Sequence, residues 1–373
     1  MIDTTVQTLN RSQVQSPDPR PFAVRRFGLL LMLSGVAIVL LVVLHIAVGT
    51  LDFTPRQIVL ALLNQAEAEL HRQVVWGLRL PRALVALLAG GMFGLAGAIL
   101  QTITRNPLAE PGLIGVSSGA VLAIVVYIVF DAGGSIWDSV DSGLVLPLTG
   151  LFGGMAAGVT VYLLSYQCGS DPMRLVLVGV LIAGINSALI SVILLAAQAE
   201  DIQRIIRWTV GSTSGRVWVH WHTLWPIALV ALPLGLLSAG LANALQLGDS
   251  VARGLGLRVE WARLGLLFVA ALLTAGAVAV VGAVGFIGLI GPHMARRMVG
   301  SDVRRLFPLS VVLTAILLIS SDIAARTITI GWVGPLTGLA IPETAGLPVG
   351  AVTALLGAPF FLYLLLRRSH GSL

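Results

Sequence analysis

The chain has 373 residues, 57% of them hydrophobic and 11% charged, with a mean hydropathy of +0.95. Soluble domains carry about 25% charged residues, so a water-soluble globular fold is excluded. The length corresponds instead to about ten membrane-spanning helices of ~20 apolar residues joined by short loops. The formal charge of +6 comes from 23 basic residues, all arginine and spread between apolar runs, a distribution that fits membrane orientation rather than nucleic-acid binding. Without a lysine there is neither a P-loop phosphate-binding lysine nor a Schiff-base lysine. One cysteine, Cys168, excludes an internal disulfide and a thiolate zinc cluster.

The pattern predicts an all-α polytopic membrane protein, one bundle of about ten transmembrane helices with both termini cytoplasmic. Residues 1–26 form a polar tail with Arg11, Arg20, Arg25 and Arg26. The run Leu29–Val48 follows, too long for a secretory signal and without a small-residue cleavage site, so it reads as a retained first span with its amino-terminal side inside. The expected spans are 27–49, 83–103, 114–131, 145–167, 174–197, 222–242, 264–283, 286–299, 305–326 and 347–366, within one membrane domain over 27–368. A short inner tail closes the chain at 369–373. Asp52–Trp76 is too polar to span and predicts a surface helix. On this topology the inner side holds 15 of the 23 arginines and 7 of the 17 acids, the bias that fixes orientation. Spacings such as Gly90/Gly94, Gly150/Gly154, Gly154/Gly158 and Gly346/Gly350 predict close helix packing.

Several residues break this pattern. Arg79 and Arg82 stand at the outer mouth of the second span and Arg326 at the outer end of the ninth. Two readings fit: guanidinium forks offered to a carboxylate-bearing partner, or headgroup contacts and a local Asp322–Arg326 pair at helical spacing. Arg105-Asn-Pro-Leu-Ala-Glu-Pro111 cannot be a continuous helix. It is either a tight turn or an ordered loop near a pathway, with Asn106 and Pro107 at its tip. Gln101 and Asn186 are intramembrane polar residues that either line a pathway or bond helix to helix. Gly115-Val-Ser-Ser-Gly119 matches a nucleophile-elbow pattern but opens an apolar helix, the wrong context. His293 lies in a glycine-rich segment, and His220 and His222 lie in an aromatic stretch suited to a membrane interface. Segment 242–263 interleaves Asp249, Arg253, Arg258, Glu260 and Arg263 with leucines, as a short amphipathic helix would; it packs on its own bundle or receives an inner partner.

These segments together resemble the permease family of bacterial iron–siderophore, haem and cobalamin ABC importers. The matching stretches are Leu78-Arg-Leu-Pro-Arg82, Gly97-Ala-Ile-Leu-Gln101 running into Arg105–Ala120, Ala244-Leu-Gln-Leu-Gly-Asp249, Gly282–His293, and Gly346-Leu-Pro-Val-Gly350 leading to Leu356–Phe361. They run in order over about 27–368. The resemblance implies a ten-helix permease in the bacterial cytoplasmic membrane that pairs with a second permease, two ATPase subunits and an outer substrate-binding protein. ATP and Mg would sit on the ATPase, with no cofactor on this chain and a metal chelate as cargo. It further implies that Arg79, Arg82 and Arg326 receive the binding protein's glutamates. Leu245, Leu247, Gly248, Asp249, Ala252, Leu255 and Gly256 would form the coupling element seated on the ATPase. Two departures stand out: Gly346 replaces the family's usual glutamate, with Glu343 the nearest acid, and Thr327–Thr344 is a longer connection. Trp208–Ser212 and Arg216–Trp218 resemble siderophore-type members, so a ferric siderophore is favoured over haem or cobalamin. An ion-coupled secondary transporter is the rival of another class, and it lacks the mid-membrane acids such coupling uses.

Overall fold

A computed structural model describes residues 20–65, 68–130, 142–166, 172–329 and 347–369. Arg11, Glu67, Cys168, Trp332, Pro335, Pro342, Glu343 and Gly346 lie outside the described residues. Hydrocarbon offers no partner to a free N–H or C=O, so a spanning chain must satisfy its backbone internally, and a helix occupies each of the ten expected stretches. In chain order these and their connectors are α1 (Arg20–Ala47), α2 (Pro55–Leu62), α3 (Glu69–Arg72), α4 (Leu80–Ile103), α5 (Val116–Phe130), α6 (Ser142–Ser165), α7 (Pro172–Ala196), α8 (Ala199–Val210), α9 (Trp218–Leu237), α10 (Ala239–Gln246), α11 (Asp249–Gly254), α12 (Val259–Val281), α13 (Ile287–Val299), α14 (Val303–Ile328) and α15 (Val349–Ser369). Seven are long and apolar enough to cross a membrane: α1, the continuous stretch Glu69–Ile103, α6, α7, α9, α12 and α14. Helices α5 and α15 are shorter apolar helices, and α13 has 13 residues with Arg296 and Arg297 in its last turn.

The chain is therefore a multi-pass membrane protein, and it differs from expectation in three places. Asp52–Trp76 is not one surface helix. Thr54 and Gln57 cap α2 reciprocally, the Thr54 amide donating to Gln57 Oε1 at 2.8 Å and the Gln57 amide to Thr54 Oγ1 at 3.3 Å, the arrangement that fixes a helix start. After a break, α3 runs through a wide π-turn, Gln73–Arg79, straight into α4. The second departure is α8, an amphipathic helix with Ile205 and Trp208 buried and Arg204 and Arg207 exposed. It is too short and too polar to register as a span. Third, the 222–242 span starts earlier, at Trp218, and breaks at Ser238 into α9 and α10.

Helices α4 and α12 are apolar all round and form the centre, as such helices must, with α14 beside α4. Glycine permits the approach. A Cβ on Gly94 would overlap Thr314 and the Ser310 carbonyl on α14, and one on Gly97 would overlap the Gly288 carbonyl on α13. Gly150 and Gly154 likewise face Ala279 and Ala275 on α12. By contrast α1 and α7 expose most of their side chains. On α7 the stripe Leu177, Leu181, Ile185, Leu189 and Val192 is exposed at helical spacing.

Candidate functional site

Two polar clusters lie at opposite ends of α4, about 35 Å apart by helix rise. The first gathers around Asp322 on α14. Arg82, one turn into α4, donates from Nε to Asp322 Oδ2 at 2.9 Å and from Nη2 to Oδ1 at 2.6 Å. His45 Nε2 lies 2.7 Å from Oδ2, and the Thr213 hydroxyl donates to Oδ1. Asp322 and His45 are fully buried. Two-pronged pairing with arginine and further hydrogen bonds are what let a charge pair stay buried. Arg82 Nη2 also reaches the Ser214 hydroxyl at 3.3 Å.

The other two outer arginines tie down the end of α1. Arg79 donates to the carbonyls of Ile46 at 2.9 Å, Ala47 at 3.3 Å and Leu51 at 2.7 Å, with its guanidinium 4.7 Å from the centre of the Phe53 ring. Arg326 Nη1 donates to the carbonyls of Val48 at 2.5 Å and His45 at 3.3 Å. A helix leaves its last carbonyls without intrahelical donors, and these guanidiniums supply them. The wide turn before Leu80 ends at Arg79, which points inward toward α1. Arg79, Arg82 and Arg326 are each at most 3% exposed. Asp322 takes Arg82, 240 positions away, as its partner, rather than serving only a local pair with Arg326.

At the far end, α10 and α11 meet at Gly248, whose φ of +109° is a backbone conformation reserved for glycine; Gly256 at +81° turns the chain after α11. Leu245 and Ala252 are buried and anchor the two helices, whereas Leu247 and Leu255 are each 63% exposed, with Val251 beside them. The corner is held from below by Asp249. Arg263 donates to both its carboxylate oxygens at 2.9 Å, and Arg105 donates to Oδ1. Arg105 also reaches the Leu245 carbonyl at 3.1 and 2.9 Å. Burial alone would push the Asp249 carboxyl up, but Arg263 and Arg105 hold it below the usual carboxylate range. One side chain of the 105–111 tract thus fastens both short helices.

The remaining polar residues have local partners. Gln101 Nε2 donates to the Leu289 carbonyl at 3.3 Å, and Asn186 Nδ2 to the Ser118 hydroxyl at 3.0 Å. Asn106 Oδ1 accepts from the Leu108 amide at 3.0 Å, a turn-forming bond, with Pro107 between them. Glu110 accepts from the Phe286 amide, and burial pushes its carboxyl up to about 7 against that bond. His293 stacks edge-on against Phe360. Among the described residues no three His, Cys, Asp or Glu side chains gather as a metal site.

The sequence profile of the FecCD transport family matches residues 37–367. The chain belongs to the FecCD transport family. It is 34% identical to the iron(3+)-hydroxamate import system permease protein FhuG of Bacillus subtilis (strain 168), covering 90% of this chain and 97% of that protein. It is 35% identical to the hemin transport system permease protein HmuU of Yersinia pestis, covering 90% and 96%. With the vitamin B12 import system permease protein BtuC of Vibrio cholerae it shares 33% identity over 88% and 91%. A solved chain described as an inward-facing conformation of a metal-chelate type ABC transporter matches with a TM-score of 0.75 and 27% identity, over 91% of this chain and 99% of that one.

Four residues hold the two clusters of this FecCD chain together: sequence reasoning passed over His45 and Thr213, and named Arg105 and Arg263 only within their segments, without a partner. His45 had a signal, an isolated polar residue within the run Leu40–Val48, which in a membrane needs a partner. Arg105 stood in a recognised motif without a role. Nothing in the spacing of Thr213 or Arg263 points to its carboxylate.

Proposed function

We propose that this chain is the permease subunit of an ABC importer of metal chelates in the bacterial inner membrane, with ATP and Mg handled by a separate ATPase pair. The observation that carries the reading is the FecCD match over 37–367. The exposed Leu247, Val251 and Leu255 on a corner braced by Asp249 supply the surface such an ATPase needs. The ten helical stretches and the arginine bias support ten crossings with both termini inside. The apolar stripe on α7 suits a second permease copy.

In this reading Leu247, Gly248, Leu255 and Gly256 meet the ATPase while Leu245, Asp249 and Ala252 fix the corner beneath them. Nucleotide-driven closure of the ATPases pushes the corner, and ATP shifts the bundle only as far as it favours one state over the other. At the outer end, glutamates of a substrate-binding protein compete for Arg79 and Arg326, since a carboxylate is a stronger acceptor than a main-chain carbonyl, and for Arg82 against the Asp322 carboxylate. Docking thereby draws on the bonds that hold the end of α1. Gln101, Asn106 and Asn186, with Pro107 beside Asn106, remain the residues assigned to the pathway side of the bundle. The named relatives carry hydroxamate, hemin and vitamin B12 labels; we favour a ferric siderophore.

The test is uptake into proteoliposomes holding this permease with its ATPase and binding protein, offered ferric hydroxamate, hemin and cobalamin separately. ATP-dependent accumulation of one chelate, requiring both partners, is expected. Accumulation driven by an ion gradient without the ATPase would overturn the reading in favour of a secondary transporter.

A further inference from the structure

A cavity of about 250 Å³ lies between the start of α6, the last turns of α8 and the 211–217 segment. Its wall carries Arg204, Arg207, Arg216 and His220 with the hydroxyls of Ser212 and Ser214, and no carboxylate among the described residues. Cationic groups in one concavity repel one another unless an anion joins them. Asp201 approaches Arg204 at 3.7 Å from outside the wall, and Arg204 stays largely exposed. Arg207 is exposed as well.

The inner part of the cavity is built. Arg216 lies over the Trp208 ring with its guanidinium 4.6 Å from the ring centre, which fixes the plane of its fork. Its Nε is buried without a hydrogen-bond partner among the described residues. Burial, with Arg207 and Arg82 nearby, lowers the guanidinium to about 10, so it is still a cation at neutral pH. The Val217 amide donates to His220 Nδ1 at 3.2 Å, so in the neutral ring Nε2 carries the hydrogen. Nε2 and Arg216 Nη1 then face each other at 3.2 Å, two donors with no acceptor between them. An oxygen placed in the cavity beside them accepts from both, and the Arg216 Nε–H lies on the same guanidinium.

We propose that this cavity is an oxyanion site, taking a carboxylate or phosphate group between Arg207, Arg216 and His220, with Arg204 at its rim. The inference stands apart from the transport reading, because it rests on the donors in this cavity. Its occupant comes either from a dissolved polyanion or from the phosphate of an anionic lipid headgroup.

The full-length protein in phosphatidylcholine nanodiscs is titrated calorimetrically with citrate. In parallel, nanodiscs of mixed phosphatidylcholine and phosphatidylglycerol report lipid retention by native mass spectrometry. Arg204→Gln and Arg207→Gln change exposed side chains, and Arg216→Lys keeps the charge but removes the fork. Arg56→Gln, at an exposed position on α2, controls for net charge. Citrate binding that weakens at least tenfold in Arg207→Gln and Arg216→Lys, but not in Arg56→Gln, supports the site with a dissolved occupant. Phosphatidylglycerol retention lost in the same variants, without citrate binding, supports it with a lipid occupant. No binding of either probe, or binding that falls equally in Arg56→Gln, overturns the proposal.

Discussion

Asp322 accepts from Arg82 twice, from Thr213 and from His45 in a fully buried place. Removing one member of such a group strands the others, at a cost of about 3–5 kcal/mol. Asp322→Asn is therefore expected to lower thermal stability in detergent sharply. The double variant Arg82→Met with Asp322→Leu is expected to recover much of that loss; equal or additive losses would count against a buried pair. For the same reason Arg82→Glu, which sets two carboxylates together, is expected to impair insertion itself, so that lost uptake in that variant says nothing about docking. Arg79→Gln and Arg326→Gln are the cleaner probes, expected to weaken binding-protein affinity in a pull-down while ATPase copurification holds. Glu110 adds a pH dependence. Its folded carboxyl is pushed up to about 7 from an ordinary 4.5, so between those values the folded chain holds more proton than the unfolded one. Stability accordingly falls as pH rises through that window. A melting series from pH 4.5 to 7.5 should show the slope, and Glu110→Gln should flatten it.

Among the elements, the α10–α11 corner makes the sharpest demand. Gly248→Ala places a side chain at a φ of +109°, a strained conformation costing roughly 1–3 kcal/mol, and Arg105→Gln removes the bonds to Leu245 and Asp249. Both are expected to reduce ATPase copurification several-fold with the bundle intact, and Leu247→Asp with Leu255→Asp to abolish it. Leu245→Asp, a buried change, should instead lower the yield of folded protein. Undiminished copurification in the surface variants would remove the corner from the coupling role. The leucines of this corner were legible as an amphipathic interruption, because a change of period from all-apolar to alternating is visible in one sequence. Helix α8 was not, because its moment rests on Ile202, Ile205 and Trp208 among charges, and a search for apolar runs passes over it. The wide turn at Gln73–Arg79 was equally silent, since no residue type there marks an extra residue in a helical turn. Which arginine meets which acid was also hidden: Arg82–Asp322 and Arg105–Asp249 join positions 240 and 144 apart, and helical spacing speaks only of neighbours.

At the scale of the molecule, α4 and α12 pack through glycine and alanine while α1 and α7 face outward. Gly97→Val, which meets the Gly288 backbone, is expected to prevent assembly of a monodisperse protein; Gly35→Val on α1, with nothing within 4 Å, should leave its elution profile unchanged.

The fastening of α1 has a consequence for synthesis. Helix α1 leaves the ribosome ahead of the other described helices, yet the acid that holds His45 is made 277 residues later, and Arg326 arrives later still. Until α14 is inserted, the nascent chain carries Arg82 into the bilayer without the carboxylate that will neutralise it, and His45 without the acceptor it bonds. Helix α1 is thus placed early and secured in full only late. A chain stopped before Asp322 would hold the end of α1 through Arg79, without the ties that Asp322 and Arg326 add.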